Sequence, residues 1–178
     1  LPSASVLKYL KGVKPQTTGT LLAFGNPDLG DPQLDLKYAQ AEAQNVAKVL
    51  PNSKALVRRE ASESAFRRYG EGFKYLHIAS HGTFNADSPL SSALLLAKDA
   101  TNDGTLTVGE LYSMRLNADL VTLSACETGL GKIANGDDVV GLTRGFLYAG
   151  SRSIVASLWK VDDEATAYLM TRFYSALK

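Results

Sequence analysis

The chain has 178 residues, 45% of them apolar and 21% charged, and its 19 basic and 18 acidic side chains leave a net charge of +1. That length supports one domain with a substantial core. The balanced charge, without a long basic run, gives no reason to expect a nucleic-acid partner. A single cysteine closes no internal disulfide, and no apolar run reaches the length of a bilayer span. The chain opens at Leu1-Pro2-Ser3 without a methionine or a signal peptide. It therefore reads as a domain excised from a larger protein, residues 1–178, whose expected location is that of its parent, by default the cytoplasm.

In chain order, "TGTLLAFGNP" (18–27) is a buried strand closed by turn residues. "LKYAQAEAQNVAKVL" (36–50) carries apolar residues at helical spacing. "KALVRREAS" (54–62) is a second strand, and "SESAFRRYGEGF" (62–73) a helix with a serine N-cap that ends near Gly70 or Gly72. "KYLHIAS" (74–80) is a strand and "SALLLA" (92–97) a short one, half of a hairpin. "LTVGELYSM" (106–114) is a short helix in which Thr107 and Glu110 have capping-box spacing. "ADLVTLSAC" (118–126) is the clearest strand. "GDDVVGLTRGFLYAG" (136–150) is a helix with an acidic first turn and a terminal glycine. "SRSIVASLW" (151–159) is a strand. "DEATAYLMTRFYSALK" (163–178) is an amphipathic helix whose buried side is expected at Ala165, Leu169, Phe173 and Leu177.

Strands that are continuous apolar runs, alternating with helices, predict an α/β fold with a mainly parallel sheet covered on both faces. In such a sheet, ligands bind outside the carboxyl ends of the strands. His81 follows one strand end and Cys126 ends another. If the two strands are neighbours, imidazole and thiol arrive at one sheet edge, where the histidine can take the thiol proton. Gly82, without a Cβ, lets a substrate carbonyl approach its backbone, so the N–H groups of Gly82 and Cys126 are candidate oxyanion donors. Taken singly, Cys126 reads rather as a small buried hydrophobe and His81 as a satisfied structural residue; the pair, each followed by a polar loop, points towards a site. The polar loops 83–92 and 127–138 that follow them are expected to move.

The stretches "YLHIASHGTF" (75–84), "LVTLSACETGLGKIANGDDVVGLTRGFLYAGSRSIVASLWKVDDEATAYLMTRFY" (120–174), "FGNPDLGD" (24–31) and the opening "LPSASVL" resemble a CHAT domain, over essentially the whole chain. The resemblance implies a caspase-like three-layer sandwich and, where active, a cysteine endopeptidase with a Cys/His dyad. It places the dyad histidine at His81 in "SHG" and the nucleophile at Cys126 in "SACETG". It implies a protein substrate, no cofactor and no metal, and an attached sensor region or partner such as tetratricopeptide repeats that gates activity. "LWKVDD" (158–163) is similar to a segment of the separases, which suggests Asp163 as a substrate-binding residue; Trp159 and Glu127 are further candidate substrate-binding residues. Family domains continue past the last helix into a further strand, so the chain is expected to lack the C-terminal end of the family domain. A catalytically silent CHAT-like scaffold, or a small-molecule-binding α/β domain, is the alternative.

Other patterns carry bland readings beside functional ones. His77 and His81 on one strand lie about 13 Å apart, too far to share a metal, so His77 reads as a packing residue. "GLGKIA" (129–134) matches a loose dinucleotide pattern, but the helix begins too late to present its N-terminus to phosphate. Asp137, Asp138, Asp162 and Asp163 read as helix caps or as an acidic pocket for a basic substrate side chain. Trp159 walls a pocket or packs under the last helix. Arg58 and Arg59 read as a partner surface or a solvated strand end.

Overall fold

The computed structural model describes residues 17–85, 87–124, 137–157 and 162–178, with the backbone alone for 137–140. Five parallel strands form the central sheet, in the order β2-β1-β3-β7-β8. They are β1 (Gly19–Pro27), β2 (Lys54–Arg58), β3 (Phe73–Ala79), β7 (Leu120–Leu123) and β8 (Ile154–Ala156). Two short strands, β4 (Gly82–Thr83) and β6 (Thr105–Thr107), flank β5 (Ala93–Leu95) in a separate antiparallel sheet. The hairpin partner expected for 92–97 is therefore present on both sides of β5.

The sheet residues alternate between two helical layers. Leu22, Phe24, Leu76, Ile78, Val121 and Leu123 face α2 (Glu63–Tyr69), α3 (Val108–Leu111) and α4 (Asp137–Tyr148), and pack on Phe66, Leu111, Leu142 and Phe146. Leu21, Ala23 and Leu120 face the other way, onto Ala43 and Val46 of α1 (Ala39–Val49) and Met170 and Tyr174 of α5 (Asp163–Ala176). Helices on both faces of a parallel sheet bury the central strands β1, β3 and β7 on both sides, which is why these read as apolar runs. The result is an α/β three-layer sandwich of the caspase-like kind.

Local chemistry fixes the helix ends. Ser62 Oγ accepts from Ala65 N–H at the start of α2. Thr107 and Glu110 form a reciprocal capping box on α3, as their spacing predicts. Asp162 Oδ1 accepts from Ala165 N–H at 2.8 Å and caps α5. A side chain at Gly25 would place its Cβ 2.5 Å from Ala39 O and from Ala43 Cβ, so glycine lets α1 lie directly on β1.

The buried side of α5 differs from expectation. Leu169 is 58% exposed and Leu177 41%, whereas Met170 and Tyr174 are the buried pair. Ala165 is also exposed, and Phe173 is only half-buried. A strict four-residue repeat advances about 40° per step on a helix of 3.6 residues per turn, so it cannot stay on one face over twelve residues. The rotation is set instead by anchors at both ends of the helix. Asp163 Oδ2 accepts from Tyr38 N–H at 2.7 Å, and Tyr174 donates its hydroxyl to Thr122 Oγ1 at 2.8 Å.

Candidate active site

β3 and β7 are immediate neighbours and parallel, with Tyr75 opposite Leu120 and Ile78 opposite Leu123. His81 therefore leaves the sheet beside the strand that leads toward Cys126. Both residues stand three positions past the last paired residues, Ile78 and Leu123. Cys126, Glu127 and Trp159 themselves lie outside the described residues.

His81 is held from two directions. Its backbone is latched to β5, since Leu95 N–H donates to His81 O at 2.9 Å and Ser80 Oγ donates to Leu95 O. Its ring, only 8% exposed, places Nε2 at 2.7 Å from the Leu34 carbonyl. A carbonyl only accepts, so Nε2 carries the hydrogen and, in the neutral ring, Nδ1 keeps the free lone pair. A partner on one ring nitrogen thereby fixes what the other can do, the same logic that orients metal-bound histidines.

Leu34 ends a short 3₁₀ turn, Pro32–Leu34, capped by Asp31 Oδ1 on Gln33 N–H at 2.9 Å. Two residues in the left-handed region, Asn26 (φ 46°) and Arg58 (φ 54°), hold that turn against the sheet edge. Buried Asn26 accepts from Leu36 N–H through Oδ1 at 3.0 Å. Arg58 pairs with Asp35 and reaches Asp28 at 3.8 Å. Arg58, partly exposed at the end of β2, braces the loop that orients His81. Arg59, whose side chain is 92% exposed, adds a 3.3 Å contact to Asp28. The Asp28 carboxyl lies below its ordinary pKa, chiefly through the Gly30 N–H and then Arg59. Leu34 and Asn26 escape sequence reasoning, Leu34 because a backbone carbonyl has no residue-type signature. The signal that points to them is the polar, turn-forming "GNPDLGD" after β1.

Gly82 opens β4 opposite Leu94 and is buried. A Cβ there would meet Ala93 O at 3.4 Å and the Phe84 ring at 3.6 Å, ordinary contacts. The loop after β4 is stitched to itself: Asn85 N–H donates to Ser92 Oγ at 3.0 Å, and Asn85 Oδ1 accepts from Ser88 N–H at 2.9 Å. A cleft of about 170 Å³ runs between the Asp28–Leu34 loop and the β5–β6 hairpin. Leu34 and Leu95, the two residues that hold His81, both stand in its wall, with Asp28, Lys98 and Asp103 at its polar positions.

His77 does not belong to this edge. It is fully buried in the sheet, opposite Thr122, with its ring edge-on to Tyr174 at 5.5 Å, the packing role expected of it. Asp162 is a cap, and Asp163 accepts from Tyr38 N–H through Oδ2. The side chains of Asp137 and Asp138 lie outside the described residues. Among the described residues there is no group of three or more potential metal ligands, and no helix is long and apolar enough to cross a membrane.

With this geometry the comparison with known families is decisive. The CHAT domain family matches residues 1–178, the whole length of the chain. The chain belongs to the CHAT domain family. That family is related to the caspase-like peptidases, in keeping with the five-stranded parallel sheet and its two helical layers. Among curated proteins, the CHAT chain is 38% identical over 72 residues to mouse tetratricopeptide repeat protein 28, covering 40% of the chain and 3% of that protein. It is 32% identical over 107 residues to human tetratricopeptide repeat protein 28, covering 60% of the chain and 4% of that protein. The matched part is thus a small fraction of either relative's length.

Proposed function

We propose that this CHAT domain is a cysteine endopeptidase acting through a Cys126/His81 dyad on a partner protein. The observation that carries the reading is the anchoring of the His81 ring, with Nε2 at 2.7 Å from Leu34 O, at the end of the strand adjacent to β7; that contact leaves Nδ1 as the nitrogen that can accept a proton. A histidine poised this way takes the proton from a neighbouring thiol, and the thiolate attacks the scissile carbonyl. Nδ1–H then protonates the leaving amine, and water hydrolyses the thioester. The N–H groups of Gly82 and Cys126 are the proposed oxyanion donors. The cleft walled by Leu34 and Leu95 offers room for a substrate side chain, and Asp163, Trp159 and Glu127 are further proposed contacts to substrate. No cofactor or metal takes part. The relatives' tetratricopeptide repeats support a regulatory region of that kind in the parent protein, gating a cytoplasmic activity.

The test is the rate of Cys126 alkylation against pH in the native chain and in His81→Ala. A fast arm at neutral pH that vanishes in His81→Ala supports the dyad. Equal, slow profiles in both would favour the catalytically silent scaffold.

A further inference from the structure

On the α1/α5 face of the sheet, behind the candidate site, lies a polar cluster that the dyad chemistry does not use. Glu42 of α1 is 1% exposed, His77 of β3 and Thr122 of β7 are fully buried, and Ser124 is 2% exposed. Ser124 Oγ donates to Glu42 Oε1. His77 Nε2 lies 2.9 Å from that same oxygen, close enough for charge pairing but without hydrogen-bond alignment. Tyr174 of α5 closes the cluster through its bond to Thr122 and its edge-on contact with His77. From β1 the register neighbour of His77 is Ala23, which is apolar. The groups that face the pair are thus Thr122 from β7, Ser124 just past the end of β7, and Tyr174 from α5.

A lone buried carboxylate is costly, and so is a lone imidazolium. The His77 ring, 2.9 Å away, gives the Glu42 carboxyl a polar neighbour in place of water. The carboxyl could have been avoided altogether if only packing mattered, since an apolar residue on α1 would fill the space without a desolvation cost. What the carboxyl adds is a fixed acceptor for Ser124. That serine also donates its backbone N–H to Ile78 O at 2.9 Å, so both of its donors are committed where β7 leaves the sheet. Cys126 follows two residues later in the sequence.

We propose that Glu42, balanced by His77, is a positioning residue for the dyad: it holds Ser124, and through Ser124 sets where the chain departs toward Cys126. The inference rests on the reading of Cys126 as nucleophile. A displacement of about 1 Å in a reacting group costs on the order of a hundredfold in rate, so a small slackening at Ser124 has a large effect.

The experiment compares Ser124→Ala, Ser124→Thr and Glu42→Gln in the full chain. Two readouts are taken: the pH profile of Cys126 alkylation by iodoacetamide, and the exchange rate of the residue 124 amide by NMR. Ser124→Ala is expected to slow the His81-dependent arm at least fivefold and to speed amide exchange tenfold. Ser124→Thr, which keeps the hydroxyl, restores both to within twofold, and Glu42→Gln, whose amide oxygen still accepts from Ser124, also stays within twofold of the native chain. Should Glu42→Gln not fold, the alanine and threonine pair decides. Variants that melt lower yet keep the native pH profile and native exchange would overturn the proposal and leave the cluster as packing. Failure of the dyad reading has another signature: native and His81→Ala profiles then coincide. In that case the exchange readout alone decides, with a threonine-rescued increase sustaining the positioning of Ser124 and an unchanged rate sinking it.

Discussion

His81 Nε2 sits 2.7 Å from the carbonyl oxygen of Leu34, 47 residues earlier in the chain. This contact makes the loop after β1 part of the site, although the loop has no chemistry of its own. Whatever braces Leu34 orients the imidazole, and the brace with the least slack is Asn26. Its side chain holds Leu36 N–H while its backbone adopts φ 46°, which asparagine tolerates better than alanine. Asn26→Ala is therefore expected to lower stability by about 1–3 kcal/mol, measured by urea denaturation. It should also blunt the His81-dependent alkylation arm at temperatures where the variant is fully folded. Lost stability with an unaltered arm would separate the brace from the site.

Two glycines near the site differ in what they require. Gly104 has φ +88°, and a Cβ there would lie 2.4 Å from Leu96 O and 2.8 Å from Lys98 N. Gly104→Ala is strained in both conformation and space, at a cost of about 2 kcal/mol or more. Gly82 has no positive φ, and its nearest Cβ contact is 3.4 Å. Gly82→Ala is expected to change stability by less than about 0.5 kcal/mol. Thermal melts of the pair check this, and a large loss in Gly82→Ala would show that β4 has no room. If Gly82→Ala folds normally but loses thiol reactivity or peptide turnover, the effect belongs to substrate approach rather than to folding.

The two sides of α5 provide a test of which face is buried. Met170 is 8% exposed and Leu169 58%. Met170→Ala should cost about 2–4 kcal/mol, and Leu169→Ala under about 0.5 kcal/mol. Reversed magnitudes would restore the face read from the four-residue repeat.

The same helix marks where sequence reasoning stops. The parallel sheet and the helices were legible because apolar runs, caps and strand ends are written in residue types, whereas the adjacency of the strands before His81 and Cys126 was an assumption that the β3–β7 pairing supplies. Ser62, Thr107 and Asp162 cap where their spacing predicts. The rotation of α5 was not legible, because it depends on Tyr38 and Thr122, 125 and 52 residues away from their partners. Nor was the anchor of His81, since its partner is a main-chain oxygen. The bracing role of Arg58 needed the β1–β2 pairing to bring it to Asp35.

Acid should weaken one exposed turn in a defined window. The Asp99 carboxyl accepts from Thr101 N–H at 3.0 Å and from Ser64 N–H at 3.2 Å. These bonds, the Thr101 backbone first, hold it well below the usual carboxylate range. A depressed pKa means that the contribution is present above the unfolded value of about 4 and is lost as pH falls through the folded value. Asp99→Asn should therefore show a shallower fall in stability below about pH 4 than the native chain. Urea midpoints at pH 7, 4 and 2.5 would measure it, and parallel acid limbs would refute the assignment.

Alkali acts through Tyr174 with the opposite sign. Burial pushes its phenol well above the ordinary tyrosine value, partly opposed by the bond to Thr122, with the Glu42 charge adding to the rise. A raised folded pKa leaves stability intact below the unfolded value of about 10, because both states are then protonated. Above it the unfolded chain ionises while the native chain does not, and stability falls until the folded pKa is reached. Tyr174→Phe removes that titration. At neutral pH it should cost about 1–2 kcal/mol, since the buried Thr122 hydroxyl loses its partner. Between about pH 10 and 11.5 its stability should decline less steeply than the native chain's. The check is a set of denaturation midpoints at pH 7, 10 and 11.5. A variant that declines as steeply as the native chain would mean that other groups carry the alkaline loss and that Tyr174 is not held protonated by its site.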